Sequence, residues 1–309
     1  MTRRCYNERH THSSDRSAPR ARTEERPLDS RPSAPLTASY TYHSPCPTAP
    51  GPYILGVDEA GRGPVLGPLV YGVAYCPAAY HDDLDKLGFA DSKTLTAATR
   101  STLLKTLCSD PASLAWSVRV LCPQAISSGM LRRPPTNLNR QSEQPLFCSY
   151  VYVDALGPTK TYEAYLTSLF PGISFTVTAK ADSKFKIVGA ASVAAKVTRD
   201  AWVEGWMFEE HQPVEKKPTW GTELGSGYPS DPKTQAWIKS SMEPTFGFPS
   251  LVRFSWTTVK MVLDKSAHSV EWIDDGQASL TKAFESGTGL DKNRCAVAKD
   301  LCIRSVSSL

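Results

Sequence analysis

Asp58 and Glu59 stand side by side at the end of the apolar run YILGVDEA and are followed at once by Gly61-Arg62-Gly63. Two further acids occupy comparable places. Asp154 closes the run SYVYVD, and Asp182 opens the segment DSKFKIVGAASVAAKV. Strand ends and helix starts of an α/β sheet meet along one edge, where ligands bind. Carboxylates gathered there repel one another unless something neutralises them. Hard divalent cations do so with oxygen ligands, and a pair about 3.5–4 Å apart can clamp an in-line phosphoryl displacement. Each acid taken singly also has a plainer role, as a turn residue or a helix cap.

Adjacent strand residues face opposite ways, so Glu59 joins Asp58 on one ligand only if the strand breaks there. Gly61 and Gly63 permit such a break, because they accept unusual backbone angles and leave room for a close approach. The expectation is that they turn the chain so that both acids and Arg62 face one substrate. Taken alone, GRGPVLG is a weak phosphate-loop signal, since the GK[ST] ending is missing. The eight cysteines contain no CxxC pair, which argues against a zinc site or a disulfide framework and fits reduced thiols.

The elements that must position these acids can be read along the chain. YILGVDEA (53–60) and PLVYGVAYC (68–76) read as two strands joined by a Gly-Pro turn. DSKTLTAATRSTLLKTLC (91–108) reads as a helix with Ser92 or Thr94 as cap, and LAWSVRVL (114–121) as a third strand. MLRRPPTNLNRQSEQP (130–145) is a polar, proline-broken loop. A strand ending at Asp154, a helix over 159–170 and a strand over 173–181 follow. One long helix is expected from Asp182 to His211, and its small residues at 189–195 predict close packing on a sheet. Trp256 to about Lys265 reads as a final helix. Strand–helix–strand order implies a parallel pair added to an antiparallel meander, hence an α/β fold with a mixed sheet.

The 309 residues are 40% hydrophobic, enough for one sizeable core with extensions. The net charge of +4 is concentrated in residues 1–52, which hold eight Arg, no Lys and five acids. The rest is nearly neutral, so a nucleic-acid role requires a local basic face. Residues 1–52 also carry eight Pro and almost no aliphatic side chain, and are expected to be disordered. No run approaches the length of a membrane span, and no secretory signal is expected.

The motifs GVDEAGRGPVLGP, ADSKTL, VYVDALG, KADSKF with AASVAAKVTRD, and GSGYPSDPKT occur in the order found in ribonuclease HII, which this chain resembles over residues 53–262. FGFPSLVRFSW (246–256) is similar to the eukaryotic catalytic form of that family. The resemblance implies a ribonuclease H-like fold, with a small helical C-terminal extension over 263–309 as a candidate partner-docking element. It implies Mg²⁺- or Mn²⁺-dependent hydrolysis, with two divalent ions, of RNA in RNA–DNA hybrids. It further implies incision at single ribonucleotides in duplex DNA, and a nuclear heterotrimer with two non-catalytic subunits. By motif, Asp58, Glu59, Asp154 and Asp182 become the metal-binding catalytic acids. The Gly61-Arg62-Gly63 backbone becomes the reader of the ribose 2′-hydroxyl, the one handle that separates RNA from DNA at a site. Tyr228 becomes a ring stacked on that sugar. Lys93, Lys180, Lys196 and Arg199 are candidate phosphate contacts or ordinary exposed charges.

The chain departs from the family between Asn139 and Tyr150, where about one helix is missing. That departure carries a competing expectation, a folded but catalytically impaired nucleic-acid-binding or scaffold subunit.

Overall fold

In the computed structural model the described residues are 32–89, 94–132, 150–155, 157–210 and 220–268. The chain divides into two units, Met1–Ala267 and His268–Leu309, and every strand and helix named below belongs to the first. The expected C-terminal extension, Lys93 and the shortened stretch after Asn139 therefore lie wholly or mostly outside the described residues. The boundary expected at 262 falls within a helix, Thr257–Ser266, and the first unit runs on to Ala267.

Six strands form one sheet: β1 (Tyr40–His43), β2 (Tyr53–Ala60), β3 (Leu69–Pro77), β4 (Ala115–Leu121), β5 (Tyr150–Asp154) and β6 (Ser174–Thr178), in the order β1-β4-β3-β2-β5-β6. β2, β3 and β4 form the expected antiparallel meander, and β5 lies parallel to both β2 and β6. Eight helices are present among the described residues: α1 (His81–Lys86), α2 (Ala97–Leu107), α3 (Pro123–Leu131), α4 (Thr159–Leu169), α5 (Ala181–Lys184), α6 (Lys186–Glu204), α7 (Pro232–Ser241) and α8 (Thr257–Ser266).

Helix α6 is the scaffold of the site. It lies across one face of β2 and β3, where two glycines let it come close. A Cβ on Gly56 would sit 2.4 Å from the Ile187 carbonyl carbon, and one on Gly72 would sit 2.3 Å from the Ala191 oxygen. The small residues of α6 and the glycines of the strands thus form one complementary surface, as the run at 189–195 predicts. Leu104 and Leu107 of α2, with Trp116 and Val118 of β4, complete the core on this face. Leu55, Val151, Val153 and Val177 pack with Leu166 of α4 on the other.

Several expectations need correction. The tail does not extend to residue 52. β1 pairs with β4, Leu36 is buried, Tyr42 packs on the Trp116 ring, and Ser39 and Ser44 accept the N–H groups of Cys122 and Trp116. An edge strand needs only one covered face and one row of bonds, so tyrosines and serines suffice where aliphatic residues are scarce. Helix α2 is capped by Thr96, whose hydroxyl accepts from Thr99 N–H, rather than by Ser92 or Thr94. The long helix is two: Phe185 is extended, at φ −122 and ψ 116, and separates α5 from α6. Helix α3, which no expectation covered, starts on a proline, whose missing N–H costs nothing in a first turn.

Candidate active site

The carboxyl ends of β2 and β5 open into a pocket lined by Asp58, Glu59, Gly61, Arg62, Gly63, Asp154, Lys196, Arg199 and Tyr228, together with Arg100 and Asp200. Register explains the acids. Val57 of β2 stands beside Val153 of β5, so one step further places Asp58 beside Asp154 on the face that carries α6. The strand does not break between the two adjacent acids. β2 continues through Ala60, and the turn falls at Gly61, φ +87. Glu59 still reaches the pocket because both acids sit where the sheet ends and its two faces meet one opening.

The glycines make room for side chains. A Cβ on Gly61 would lie 2.2 Å from Arg199 Nε, and one on Gly63 would lie 3.0 Å from the Tyr228 ring. Arg199 and Tyr228 thus rest against the loop that the two glycines allow. Tyr228 is 47% exposed, and its own loop is tied down from behind: the Gly227 N–H donates to Thr234 Oγ1 at 2.9 Å, and the Gly227 oxygen accepts from Val65 N–H at 2.8 Å. Gly225 and Gly227 hold positive φ, and a Cβ on Gly225 would lie 2.6 Å from Asp231 Oδ2 and 2.8 Å from Thr234, so the loop packs tightly on the start of α7.

Arg253 belongs to the site although no motif assigned it a role there. It is fully buried, and its guanidinium donates to the carbonyls of Gly67 at 2.8 Å, Arg62 at 3.2 Å and Gly61 at 2.7 Å. Trp256, over whose ring the guanidinium lies at 4.9 Å, donates Nε1 to the Gly63 oxygen at 3.1 Å. The Gly61 and Arg62 carbonyls are thereby turned toward the buried Arg253, and the Gly63 carbonyl toward Trp256 at the surface. Burial, with the like charge of Arg199, lowers the Arg253 pKa to about 9. The signal for this role is the single Arg in an otherwise apolar and aromatic run, FPSLVRFSW.

Asp182 is 2% exposed in the first turn of α5 and does not line the pocket. Its neighbour Ala181 donates its N–H to Asp154 Oδ1 at 2.8 Å, which places the start of α5 directly behind Asp154. Lys180 makes this turn with φ +55, a left-handed conformation uncommon outside glycine and often held in place at functional sites. Lys180 itself is not part of the pocket lining. Lys196 is, and its Nζ donates to Ser192 Oγ at 2.8 Å. Arg100 joins α2 to α6 through Asp200 Oδ2 at 3.0 Å. Arg62, Arg100, Lys196 and Arg199 bring positive charge to the pocket, where they stand among Asp58, Glu59, Asp154 and Asp200.

Burial raises the Asp58 carboxyl to about pKa 6, against the opposing pull of the Ser192 hydrogen bond and the Lys196 charge. Burial and then the neighbouring Asp58 charge raise Glu59 to about 7, with Arg62 pulling the other way. Groups that resist ionising beside one another ask for positive charge, and an all-oxygen donor set suits a hard divalent cation. Asp58, Glu59 and Asp154 would be its direct holders, with Asp182 behind them. Among the described residues no group of three or more His, Cys, Asp or Glu is already arranged to hold a metal ion, so closing around one requires side-chain adjustment.

The ribonuclease HII family model matches residues 55–259. The A subunit of ribonuclease H2 from Homo sapiens is 46% identical over 253 residues, covering 78% of this chain and 80% of that protein. Its counterpart of the same name from Schizosaccharomyces pombe is 42% identical over 247 residues, covering 72% of each. Among solved structures, ribonuclease H2 from Pyrococcus horikoshii OT3 covers 69% of this chain and 98% of its own, with 31% identity and a TM-score of 0.55. The mixed sheet with flanking helices is thus the ribonuclease H-like fold that the motifs imply.

Proposed function

The chain belongs to the ribonuclease HII family, as a ribonuclease H hydrolase of the eukaryotic type 2 catalytic-subunit kind, and on that premise we propose that it cleaves the RNA strand of RNA–DNA hybrids and incises duplex DNA at single ribonucleotides. One observation supports this most: one pocket joins the acids at two strand ends to a glycine loop whose carbonyls are turned away from it.

In a trans peptide the C=O and the following N–H point in opposite directions. Drawing the Gly61 and Arg62 oxygens onto Arg253 therefore leaves the N–H groups of Arg62 and Gly63 on the opposite side of the loop. Two fixed donors there suit a ribose 2′-hydroxyl, which DNA lacks. Tyr228, braced by Gly63, offers a ring for the sugar. Arg100 and Arg199 supply positive charge for the phosphodiester backbone. Asp58, Glu59 and Asp154, with Asp182 in support, would hold two Mg²⁺ or Mn²⁺ ions. Bound there, such ions stabilise charge on the phosphate and acidify a water. The acids' part is to hold that charge at the strand ends, and the loop's part is to present only a ribonucleotide to it.

The relatives are named as subunits, and we extend this to a nuclear heterotrimer with two non-catalytic partners, acting in ribonucleotide excision and replication primer removal. The direct test is cleavage of three labelled duplexes by the chain, alone and co-expressed with two partner subunits: an RNA–DNA hybrid, a DNA duplex with one ribonucleotide, and all-DNA. Divalent-dependent cleavage of the first two only is expected. Asp58→Asn or Asp154→Asn should lower it at least about a hundredfold, roughly 2.7 kcal/mol of barrier. No cleavage of either substrate by the assembled complex would overturn the reading.

A further inference from the structure

Ser192 lies on the face of α6 that packs against the sheet and is fully buried. Its neighbours Ala191 and Ala195 seat α6 closely on Gly72 of the sheet, and a small side chain suits a buried position in that run. Alanine would suit it as well, and it favours a helix interior over serine by a few tenths of a kcal/mol. The hydroxyl therefore needs a polar reason, since burying one without a partner is costly.

Both of its partners belong to the pocket. Lys196, one turn on, donates Nζ to Ser192 Oγ at 2.8 Å, and Ser192 is hydrogen-bonded to the Asp58 carboxyl. The chemistry of the two ends sets the direction. An ammonium group has only protons to give, and a carboxylate only accepts. The hydroxyl therefore donates its one hydrogen bond to Asp58, while its oxygen accepts one from Lys196 Nζ. Asp58 Oδ1 in addition accepts the Glu59 N–H at 2.7 Å. The carboxyl group is thus held both by the backbone and by the helix behind it.

Resting on the reading of Asp58 as a cation holder, we propose that Ser192 is a positioning residue: its hydroxyl orients the Asp58 carboxylate and couples it to Lys196, so that Lys196 acts on the acid from within the fold. This gives Lys196 a different task from the phosphate contact suggested by motif. It also identifies a site determinant in the interior of α6 that no acid or glycine motif marks.

The test uses the full chain, stripped of metal, and Mn²⁺ as the probe. Mn²⁺ affinity is read by titration calorimetry and melting temperature by scanning calorimetry. Ser192→Ala is expected to melt within a few degrees of wild type and to bind Mn²⁺ about 10- to 100-fold more weakly, the usual range for a residue behind a ligand. Lys196→Gln is expected to weaken binding in the wild-type background and to add little to Ser192→Ala, because coupled residues are non-additive. Unchanged Mn²⁺ affinity in Ser192→Ala overturns the proposal. So does a Lys196→Gln effect that is the same in both backgrounds, or that falls on KM for the hybrid alone, as for a phosphate contact. If Ser192→Ala fails to fold, Lys196→Gln, which leaves the Ser192 packing intact, decides by the same affinity measurement. Wild type binding no Mn²⁺ would instead remove the cation reading itself, and the positioning role with it.

Discussion

Tyr228 has a half-exposed ring with Gly63 behind it and a loop pinned by Thr234 below. A side chain with only a packing role would be expected to lie deeper. Stacking of an aromatic ring on a nucleotide is worth about 1–3 kcal/mol. Tyr228→Ala should therefore lower cleavage of a duplex containing one ribonucleotide by roughly 5- to 150-fold, at 1.4 kcal/mol per decade. Tyr228→Phe keeps the ring and should lose less. On a long RNA–DNA hybrid the loss should shrink, because no RNA-to-DNA junction has to be found there. Side-by-side rates at one salt concentration decide this, and equal losses on both substrates would assign Tyr228 to the fold. Asp231 supports the same loop from the cap of α7. Hydrogen bonds from the Ser226 backbone and side chain, then from Lys233 N–H, lower its pKa to about 2. A carboxylate depressed in the folded state stabilises it above the unfolded pKa, near 4, and that contribution is lost as pH falls toward 2. The stability difference between wild type and Asp231→Asn should thus be constant above about pH 5 and should narrow steadily between about pH 4 and 3, as followed by urea unfolding. A difference that does not change with pH would mean that the hydrogen bonds, not the charge, carry the cap.

At the scale of elements, the loop 61–67 takes its shape from a segment nearly two hundred residues away. Arg253 satisfies the carbonyls of Gly61, Arg62 and Gly67, and Trp256 satisfies that of Gly63. Each buried carbonyl left without a donor costs about 1–3 kcal/mol. Arg253→Met should therefore destabilise the protein by at least about 3 kcal/mol in urea unfolding. Whatever folds should lose discrimination between RNA–DNA and all-DNA duplexes, because the outward N–H groups are no longer held. Arg253→Lys, with a charge but no fork, should fall between. A loss below about 1 kcal/mol would show that water or backbone rearrangement replaces the guanidinium. Little of this clamp was legible in the sequence: FPSLVRFSW marks an Arg among buried residues without naming its partners. The close seat of α6 on the sheet was legible, because Gly56, Gly72 and the small residues at 189–195 are visible as residue types before their contacts are known.

For the whole molecule, the edge of the sheet begins earlier than composition suggests. Leu36, the β1–β4 ladder and the Tyr42–Trp116 contact tie residues 36–43 to the central meander. Removing residues 1–48 should lower the melting temperature by about 5 °C or more relative to a chain that begins at Pro32, since a loss of about 2 kcal/mol corresponds to about 4–8 °C for a domain of this size. Scanning calorimetry of the two truncated chains makes the comparison. Equal melting temperatures would mean that the contacts of β1 are no stronger than those its groups make with water.

The sequence by itself determined the order of the six-stranded unit's main elements, the mixed character of its sheet and the acids at its strand ends. These are carried by local patterns: alternation in strands, small residues on a helix, and a carboxylate where an apolar run stops. Only the tertiary structure decided the rest. It placed Asp58 beside Asp154 by register, moved the turn from Glu59 to Gly61, set Asp182 behind the pocket instead of on it, and split the long helix at Phe185. It also supplied the partners that have no sequence spacing at all, Arg253 on the glycine loop and Ser192 on Asp58. Hydrogen bonds between residues far apart in the chain depend on which surfaces meet, and that is settled by the packing of α6, α7 and α8 around the sheet end rather than by any local preference of the residues involved.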